Sequence, residues 1–188
     1  MEKYLGKDYS DFFFTSDLHI SHRNILKYDN RPFKNIEEHD QALINNINNK
    51  VNEKSCLFIL GDVAMTSDMS YLGKLLNQIK CDMVLIKGNH DSHLKQSFLN
   101  QYFIDDKDYL ELKTESAGKL ILSHYPHYSW NGSHRGNIHL YGHIHTAIAP
   151  LNGKSFNVGI CQSQAYMPFS IPEILKVTDK QSNGTHHE

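Results

Sequence analysis

The sequence lacks the features that mark several common classes of protein. Its 188 residues contain no run of about 18 apolar residues, the length that a transmembrane helix needs. Residues 1–8 contain no continuous apolar segment of the signal-peptide kind. The formal net charge is only -2, so no general basic excess attracts nucleic acid or a membrane surface. We therefore expect a cytoplasmic protein with no membrane partner and no long nucleic-acid groove.

Cysteine is also scarce, since the chain has only Cys56, Cys81 and Cys161. They lie far apart and form no C-x-x-C pair, which argues against a disulfide framework and against a cysteine zinc site. The chain has no internal repeat and no linker rich in Pro, Gly or Ser. Its length then predicts one domain, which we place at residues 1–180, followed by a disordered tail at 181–188.

Histidine, by contrast, is abundant, with 13 residues in the chain. Packing and solubility do not require so many imidazoles, so the composition indicates metal or proton chemistry. Three apolar runs of the first half each stop at polar side chains, namely Asp17 with His19, Asp62, and Asn89. Because the working groups of open α/β sheets gather beyond the carboxyl ends of strands, we expect these side chains to share one site.

Strands and helices alternate in the first half of the sequence. Apolar patterning predicts strands at 11–16, 55–60 and 83–86, with one helix starting at Asn35 and another after Asp68. This alternation predicts parallel βαβ units and an α/β fold. His39 falls on the polar side of its helix and is expected to face solvent. The second half predicts a mostly β layer, with short strands at 109–112, 119–122, 138–141, 156–158 and 174–177.

Two apolar runs of the second half also end in histidine. They complete a set of seven side chains: Asp17, His19, Asp62, Asn89, His124, His143 and His145. Such a mixture of oxygen and imidazole ligands favours manganese, is compatible with iron, zinc, nickel or cobalt, and is poor for calcium. Seven groups exceed what one ion needs. The set therefore predicts two divalent ions that share a bridging carboxylate.

These blocks resemble the calcineurin-like metallophosphoesterase superfamily. They read Asp17-x-His19, Gly61-Asp62, Gly88-Asn89-His90-Asp91, His124 and Gly142-His143-x-His145. The resemblance spans about residues 12–160, and residues 14–33, FTSDLHISHRNILKYDNRPF, are similar to a group of small phosphoesterases of bacteria and their phages. It implies a four-layer α/β/β/α sandwich of two mixed β-sheets flanked by helices.

The resemblance also implies a role for each residue of the set. One ion would bind Asp17, His19 and His145, the second would bind Asn89, His124 and His143, and Asp62 would bridge them. A water between the two ions would attack phosphorus in line. His90 would stabilise the transition state or protonate the leaving group, and Asp91 would fix the tautomer of His90.

Four further residues are candidates for substrate contact: His22, Arg23, Arg31 and Tyr125. His22 follows His19 by three residues, and the two arginines are suited to phosphate, although exposed positions explain all three equally well. Tyr125 begins an aromatic loop after His124 that suits stacking on a nucleobase, and ordinary packing is the alternative.

We therefore expect a metal-dependent phosphohydrolase that acts on a small phosphoester, foremost a small-molecule or nucleotide phosphodiester. A phosphomonoesterase, a nuclease and a non-catalytic metal-binding scaffold are the alternatives. Related protein phosphatases continue these blocks as GDxxDRG and GNHE, whereas Asp62 is followed here by Val63 and His90 by Asp91. This departure argues against a phosphoprotein substrate. No feature of the sequence points to a particular oligomeric state.

Overall fold

The computed structural model describes residues 11–185, and the strands of this part form two β-sheets. The first sheet has the strand order β4-β3-β2-β1-β9. Its strands are β1 (Asp11–Thr15), β2 (Ser55–Ile59), β3 (Asp82–Ile86), β4 (Asp105–Lys107) and β9 (Phe169–Ser170). Strands β1 to β4 are parallel, and β9 pairs antiparallel with β1. The loops after β1, β2 and β3 therefore leave the sheet at the same edge.

The second sheet has the order β5-β6-β7-β8. Its strands are β5 (Tyr109–Thr114), β6 (Gly118–Ser123), β7 (Ile138–Tyr141) and β8 (Ser155–Asn157). Strands β5 and β6 form an antiparallel hairpin, whereas β6, β7 and β8 are parallel to one another. Both sheets are thus mixed, as expected for the predicted α/β class.

Five helices accompany the sheets in the described part of the chain: α1 (Ile25–Tyr28), α2 (Ile36–Asn48), α3 (Met69–Leu76), α4 (Gln96–Tyr102) and α5 (Ile171–Thr178). The predicted starts of α2 and α3 are confirmed. The Asn35 side chain accepts the N–H of Glu38 at 2.8 Å, and Asp68 accepts that of Tyr71 at 2.9 Å. Helices α2, α3 and α4 pack their apolar residues on the outer face of the first sheet.

The core between the sheets explains the continuous apolar runs of the sequence. Phe14, Phe58 and Val84 point away from α2, α3 and α4 and pack on Leu120 and Leu140 of the second sheet. The Phe14 and Phe58 rings stack with their centroids 5.3 Å apart. Because β1, β2 and β3 are covered on both faces, each contains an unbroken apolar run and does not alternate.

The strand predicted at 174–177 is wrong, since this segment lies in α5. Ser170 precedes the helix, and the Glu173 carboxylate accepts its N–H at 2.8 Å and its O–H at 2.6 Å. Pro172 stands in the first turn. This capping box and the proline outweigh the local apolar pattern. Helix α4 and strands β4 and β9 were not predicted.

The C-terminal residues also differ from the prediction. The Gln181 side chain exchanges two hydrogen bonds with the Ser155 backbone, at 2.7 and 3.0 Å, and the Thr185 N–H donates to Asn152 at 3.0 Å. Residues 181–185 are therefore bound to the sheet and its loops. The remaining tail, 186–188, and the segment 1–8 discussed above lie outside the described residues. Within 11–185, no helix combines the length and the apolar character needed to cross a membrane.

The outer face of the second sheet carries the fully buried His139. The rings of Trp130 and His127 cover it at centroid distances of 5.1 and 5.2 Å. Its Nδ1 donates to the Ile121 carbonyl at 3.0 Å, and its Nε2 accepts the N–H of His127 at 3.1 Å. One donor and one acceptor are what a neutral imidazole offers. Burial accordingly lowers the pKa of His139 to about 4.

Replacement of this histidine should make stability less dependent on pH. Between pH 6.5 and about 4, the unfolded chain takes up a proton at His139 and the folded chain does not, so stability is lost as the pH falls. A shift of that size corresponds to about 3 kcal/mol. Urea unfolding at pH 7 and pH 4.5 should show a smaller loss for His139→Gln than for the wild type. An equal loss would contradict the assignment, and the exposed His93→Gln serves as the control.

Candidate metal centre

The carboxyl ends of five strands meet at one edge of the sandwich, and each leads into a predicted ligand. Backbone hydrogen bonds join these loops directly. The Asp17 N–H donates to the Gly61 carbonyl at 3.0 Å, and the Gly142 N–H donates to the His124 carbonyl at 2.9 Å. The structure thus brings together all seven predicted ligands, which follow β1, β2, β3, β6 and β7 in turn.

The ligand atoms form two groups. The first group contains Asp17, His19 and His145, and the second group contains Asp62, His124 and His143; within each group the atoms lie within 4.8 Å of one another. The Asn89 Oδ1 adjoins the second group, 3.1 Å from His124 Nε2.

Asp62 lies between the two groups. Its Oδ2 is 3.4 Å from His124 Nε2 in the second group and 3.8 Å from His19 Nε2 in the first. One carboxylate therefore faces nitrogen ligands of both groups, which is the placement that a bridging ligand requires.

Five of the seven side chains stand on left-handed backbone. The φ angles are 58° at Asp17, 53° at His19, 57° at Asp62, 69° at His143 and 50° at His145. Such angles are uncommon for residues other than glycine and persist where the surrounding structure enforces them. Their concentration at these positions marks the loops as functional.

The glycines of the sequence blocks allow the loops to approach one another. A Cβ on Gly142 would lie 2.7 Å from Asp17 Oδ2 and would also overlap the Ser16 hydroxyl. A Cβ on Gly61, whose φ is 87°, would lie 2.7 Å from the Gly88 Cα. Larger residues at these two positions would push the ligand loops apart.

The electrostatics of the buried ligands fit a cation. Burial raises the pKa of Asp17 to about 6 and outweighs the opposing charges of His124 and His145. Burial also lowers the pKa of His19 to about 3, so its imidazole is neutral at pH 7 and keeps a lone pair. Its Nε2 lies 3.3 Å from His145 Nε2 and is therefore the nitrogen that faces the first group. Divalent ions would offset the buried carboxylate charge, and this donor set suits them.

Asp91 does not have the place that the sequence analysis assigned to it. Its side chain is buried, and both oxygens accept backbone N–H groups: Oδ2 those of Asp62 and Gly88, each at 2.8 Å, and Oδ1 that of Val63 at 2.9 Å. The carboxylate therefore joins the loop after β2 to the loop after β3. The prediction that it orients the His90 imidazole is corrected accordingly.

Arg31 is likewise not a substrate contact, because all five of its N–H donors are used inside the protein. Nη1 donates to the Leu18 carbonyl and to His39 Nε2, each at 2.8 Å. Nη2 donates to the Asp17 carbonyl at 2.8 Å and to Asp29 at 3.0 Å, and Nε donates to Asp29 at 3.2 Å. Arg31 thus fixes the backbone of the first ligand loop.

Of the other substrate candidates, two lie near the groups and one does not. The His22 ring is 5.7 Å from that of His19, and the Tyr125 ring is 4.7 Å from that of His143. Arg23 is 81% exposed and pairs with Glu37 at 3.3 Å, so its prediction as a site residue is not supported.

Sequence reasoning misplaced His39 and missed Asp29. His39 is fully buried and was expected in solvent; it contacts Arg31 and its Nδ1 lies 2.8 Å from Asp40 Oδ1. Asp29 Oδ2 accepts the Nδ1 hydrogen bond of His145 at 2.7 Å. Burial alone would raise the pKa of Asp29, but the hydrogen bonds of His145 and Cys161 hold it well below its usual range. In the sequence, the available signal was that Asp29 stands two residues before Arg31, where a carboxylate can pair with the guanidinium.

Fold and site together define an α/β sandwich with a buried oxygen and imidazole ligand cluster at its strand ends. The family model described as calcineurin-like phosphoesterase matches residues 11–147. An uncharacterised protein of Methanocaldococcus jannaschii is 32% identical over 173 residues, which cover 88% of this chain and 89% of the relative. The chain belongs to the calcineurin-like phosphoesterase family and is, at that level, a metal-dependent phosphoesterase.

Two further comparisons agree with this assignment. The gene 66 protein of Mycobacterium phage L5 is 25% identical over 180 residues, covering 80% of this chain and 86% of the relative. The crystal structure of a protein of unknown function from Aquifex aeolicus aligns with a TM-score of 0.70 at 21% identity, over 89% of this chain and 98% of that one. The latter likeness supports the fold.

Arg31→Lys should destabilise the protein although it keeps the charge. Lysine has three donors and no planar fork, so the Asp17 and Leu18 carbonyls lose partners. A buried polar group left unpaired costs about 1 to 3 kcal/mol, and we expect a total loss of about 2 to 4 kcal/mol in urea unfolding. The matched control is Arg23→Lys on the surface, which should change stability by less than about 0.5 kcal/mol. Equal effects of the two substitutions would contradict the role given to Arg31.

Proposed function

We propose that this protein uses two divalent metal ions, with manganese favoured, to hydrolyse a phosphodiester of a small molecule or nucleotide. The observation that carries the proposal is a pair of cavities that meet beside the two ligand groups. Both cavities are lined by Met65 and His90. The chemistry follows from the ligands, and the preference for a diester follows from the cavities.

The first group would hold one ion and the second group, with Asn89, would hold the other, with Asp62 between them. Divalent ions bound there would polarise the phosphoryl oxygens and lower the pKa of a water that attacks phosphorus. The protein contributes a buried, preformed ligand set, since Asp17 also accepts the N–H of His143 at 3.0 Å. The ligands are thus positioned before substrate arrives.

His90 is the residue best placed to act on the leaving group. It stands on a short 3-10 turn (Asn89–Asp91), and its N–H donates to Asp62 Oδ1 at 2.9 Å. Its ring lies 5.6 Å from that of His19 and borders both cavities. An imidazole there would donate a proton to the departing oxygen.

The two cavities favour a diester over a monoester. The larger one, about 1070 Å³, is called here the α3–α4 groove and is lined by Met69, Phe98 and Tyr102 among others. The smaller one, about 470 Å³, is lined by His22 and Tyr28 among others. A phosphodiester has two organic substituents, each of which needs its own binding pocket, whereas a monoester has only one. The apolar and aromatic residues that line both cavities suit substituents that contain rings.

The direct test is hydrolysis of bis(4-nitrophenyl) phosphate by the manganese-loaded protein. We expect activity that is abolished by EDTA and exceeds that on 4-nitrophenyl phosphate. His90→Ala should lower kcat by about 10²- to 10⁴-fold, the usual share of a general acid, on an alkyl phosphodiester whose leaving alcohol needs a proton, and by less on bis(4-nitrophenyl) phosphate, with both ions still bound. Asn89→Ala, in contrast, should lower metal content.

Two results would contradict the proposal. Inactivity on both esters with manganese, iron, zinc, nickel and cobalt would count against phosphodiester hydrolysis. Loss of metal from His90→Ala would show that His90 is a ligand and not the proton donor.

A second prediction concerns the α3–α4 groove, which Ser97 lines. Ser97→Trp should fill it and raise the KM for bis(4-nitrophenyl) phosphate on the order of tenfold, equivalent to about 1.4 kcal/mol of lost binding. The kcat and the metal content should stay nearly constant, because a contact that binds substrate and transition state alike affects KM. Asn100→Trp on the same helix, outside the groove, is the control. An unchanged KM for Ser97→Trp would show that the diester does not occupy the groove.

A further inference from the structure

The structure assigns Asp29 as a positioning residue that selects which nitrogen of His145 faces the first group, and Arg31 as the side chain that holds Asp29 to the loop carrying Asp17 and His19. This assignment rests on the proposed metal centre. It adds two residues that would determine how the first ion is bound by positioning its ligands.

The contacts of Asp29 come from three directions and meet at one oxygen. Its Oδ2 lies 2.7 Å from His145 Nδ1, 3.0 Å from Arg31 Nη2 and 3.1 Å from Cys161 Sγ. The side chain is only 8% exposed. A buried carboxylate with this many donors is held in one orientation.

The Asp29 contact determines the tautomer of His145. An ionised carboxylate only accepts hydrogen bonds, so the proton of His145 must lie on Nδ1. The lone pair is then on Nε2, which lies 3.3 Å from His19 Nε2 and thus faces the first group. Carboxylates that hold the far nitrogen of a ligating histidine both fix the ring and raise its basicity.

Arg31 connects this histidine to the opposite loop. The same guanidinium that donates to Asp29 also donates to the carbonyls of Asp17 and Leu18, each at 2.8 Å. The first group takes its ligands from the loop after β1 and the loop after β7. The Asp29 and Arg31 pair therefore ties together the two loops that must keep a fixed separation.

A third metal site at Asp29 is the competing interpretation. Ligand atoms of Asp29, His145 and Cys161 do lie within 4.8 Å of one another. The Arg31 Nη2, however, lies 3.0 Å from the same carboxylate oxygen that an ion would need. A divalent ion there would meet the guanidinium charge at close range, so the cluster is a hydrogen-bonded support.

The test compares manganese binding by wild-type protein and Asp29→Asn, measured as free manganese by electron paramagnetic resonance during titration. We expect two ions in the wild type. In the variant, one should bind about 10- to 100-fold more weakly, the usual effect of losing such a support, and the other should be unchanged. Asp105→Asn is the matched control, because Asp105 is 17% exposed and pairs with Lys107 at 3.2 Å on the edge strand β4.

A second measurement needs no substitution at Asp29 and decides the matter if that variant does not fold. In zinc-loaded protein with ¹⁵N-labelled histidine, the nuclear magnetic resonance spectrum should show His145 protonated at Nδ1 and bound through Nε2. The His145→Gln variant identifies its signals. Binding through Nδ1 would overturn the assignment.

The outcomes separate this inference from the proposed function. If wild-type protein binds no divalent ion, the metal centre itself fails and the assignment fails with it. If the wild type binds two ions and Asp29→Asn binds both with unchanged affinity, only the role of Asp29 is overturned.

Discussion

The site depends on the parallel register of the strands in each sheet. Thr15 lies opposite Ile59, and Ile59 lies opposite Leu85, so β1, β2 and β3 end at nearly the same level. In the second sheet, Leu122 lies opposite Leu140. A polar residue placed shortly after each strand end therefore arrives at one edge of the sandwich. The packing of the two sheets then brings the two sets of loops together.

Carboxylates and backbone N–H groups hold these loops at the required distances. Asp17 accepts the N–H of His143, Asp62 accepts that of His90, and Asp91 accepts three N–H groups. The first two carboxylates are also candidate ligands, so the same side chains position the loops and would face a metal ion. Because all of these bonds except the one from Gly88 to Asp91 join loops that are distant in sequence, the left-handed ligand residues are enforced from several sides.

The sequence predicted what depends on local pattern. Buried strands produced continuous apolar runs, and Asn35 and Asp68 identified helix starts because capping involves residues only three apart. The clustering of the seven candidate ligands was accessible for the same reason, since each member lies at or just beyond the end of an apolar run. The α5 helix was missed because its apolar residues were interpreted as a strand and the Ser170 and Glu173 capping box was not considered.

The failures at the site concern side chains whose partners the local sequence pattern does not reveal. Arg31 and Asp91 carry charges that suit phosphate and imidazole, yet the fold presents them with carbonyl and N–H groups of other loops. His39 was assigned to solvent from its helical face, but Arg31 and Asp40 provide it with buried partners. Charge and periodicity describe what a residue is able to bind, and only the tertiary structure determines which partner it meets.

The architecture separates the candidate metal centre from the surfaces that we propose to select the substrate. The ligands stand on loops at the strand ends and are fixed by the sheets, whereas the α3–α4 groove and the smaller cavity are bordered by helical residues such as Phe98 and Tyr28. His90 belongs to both parts, since its backbone is bonded to Asp62 and its imidazole borders the cavities. Under the proposed function, helical residues could therefore select a different substrate without moving a ligand. The sheet edge would then hold the reaction centre, and the outer layer would determine which phosphoester reaches it.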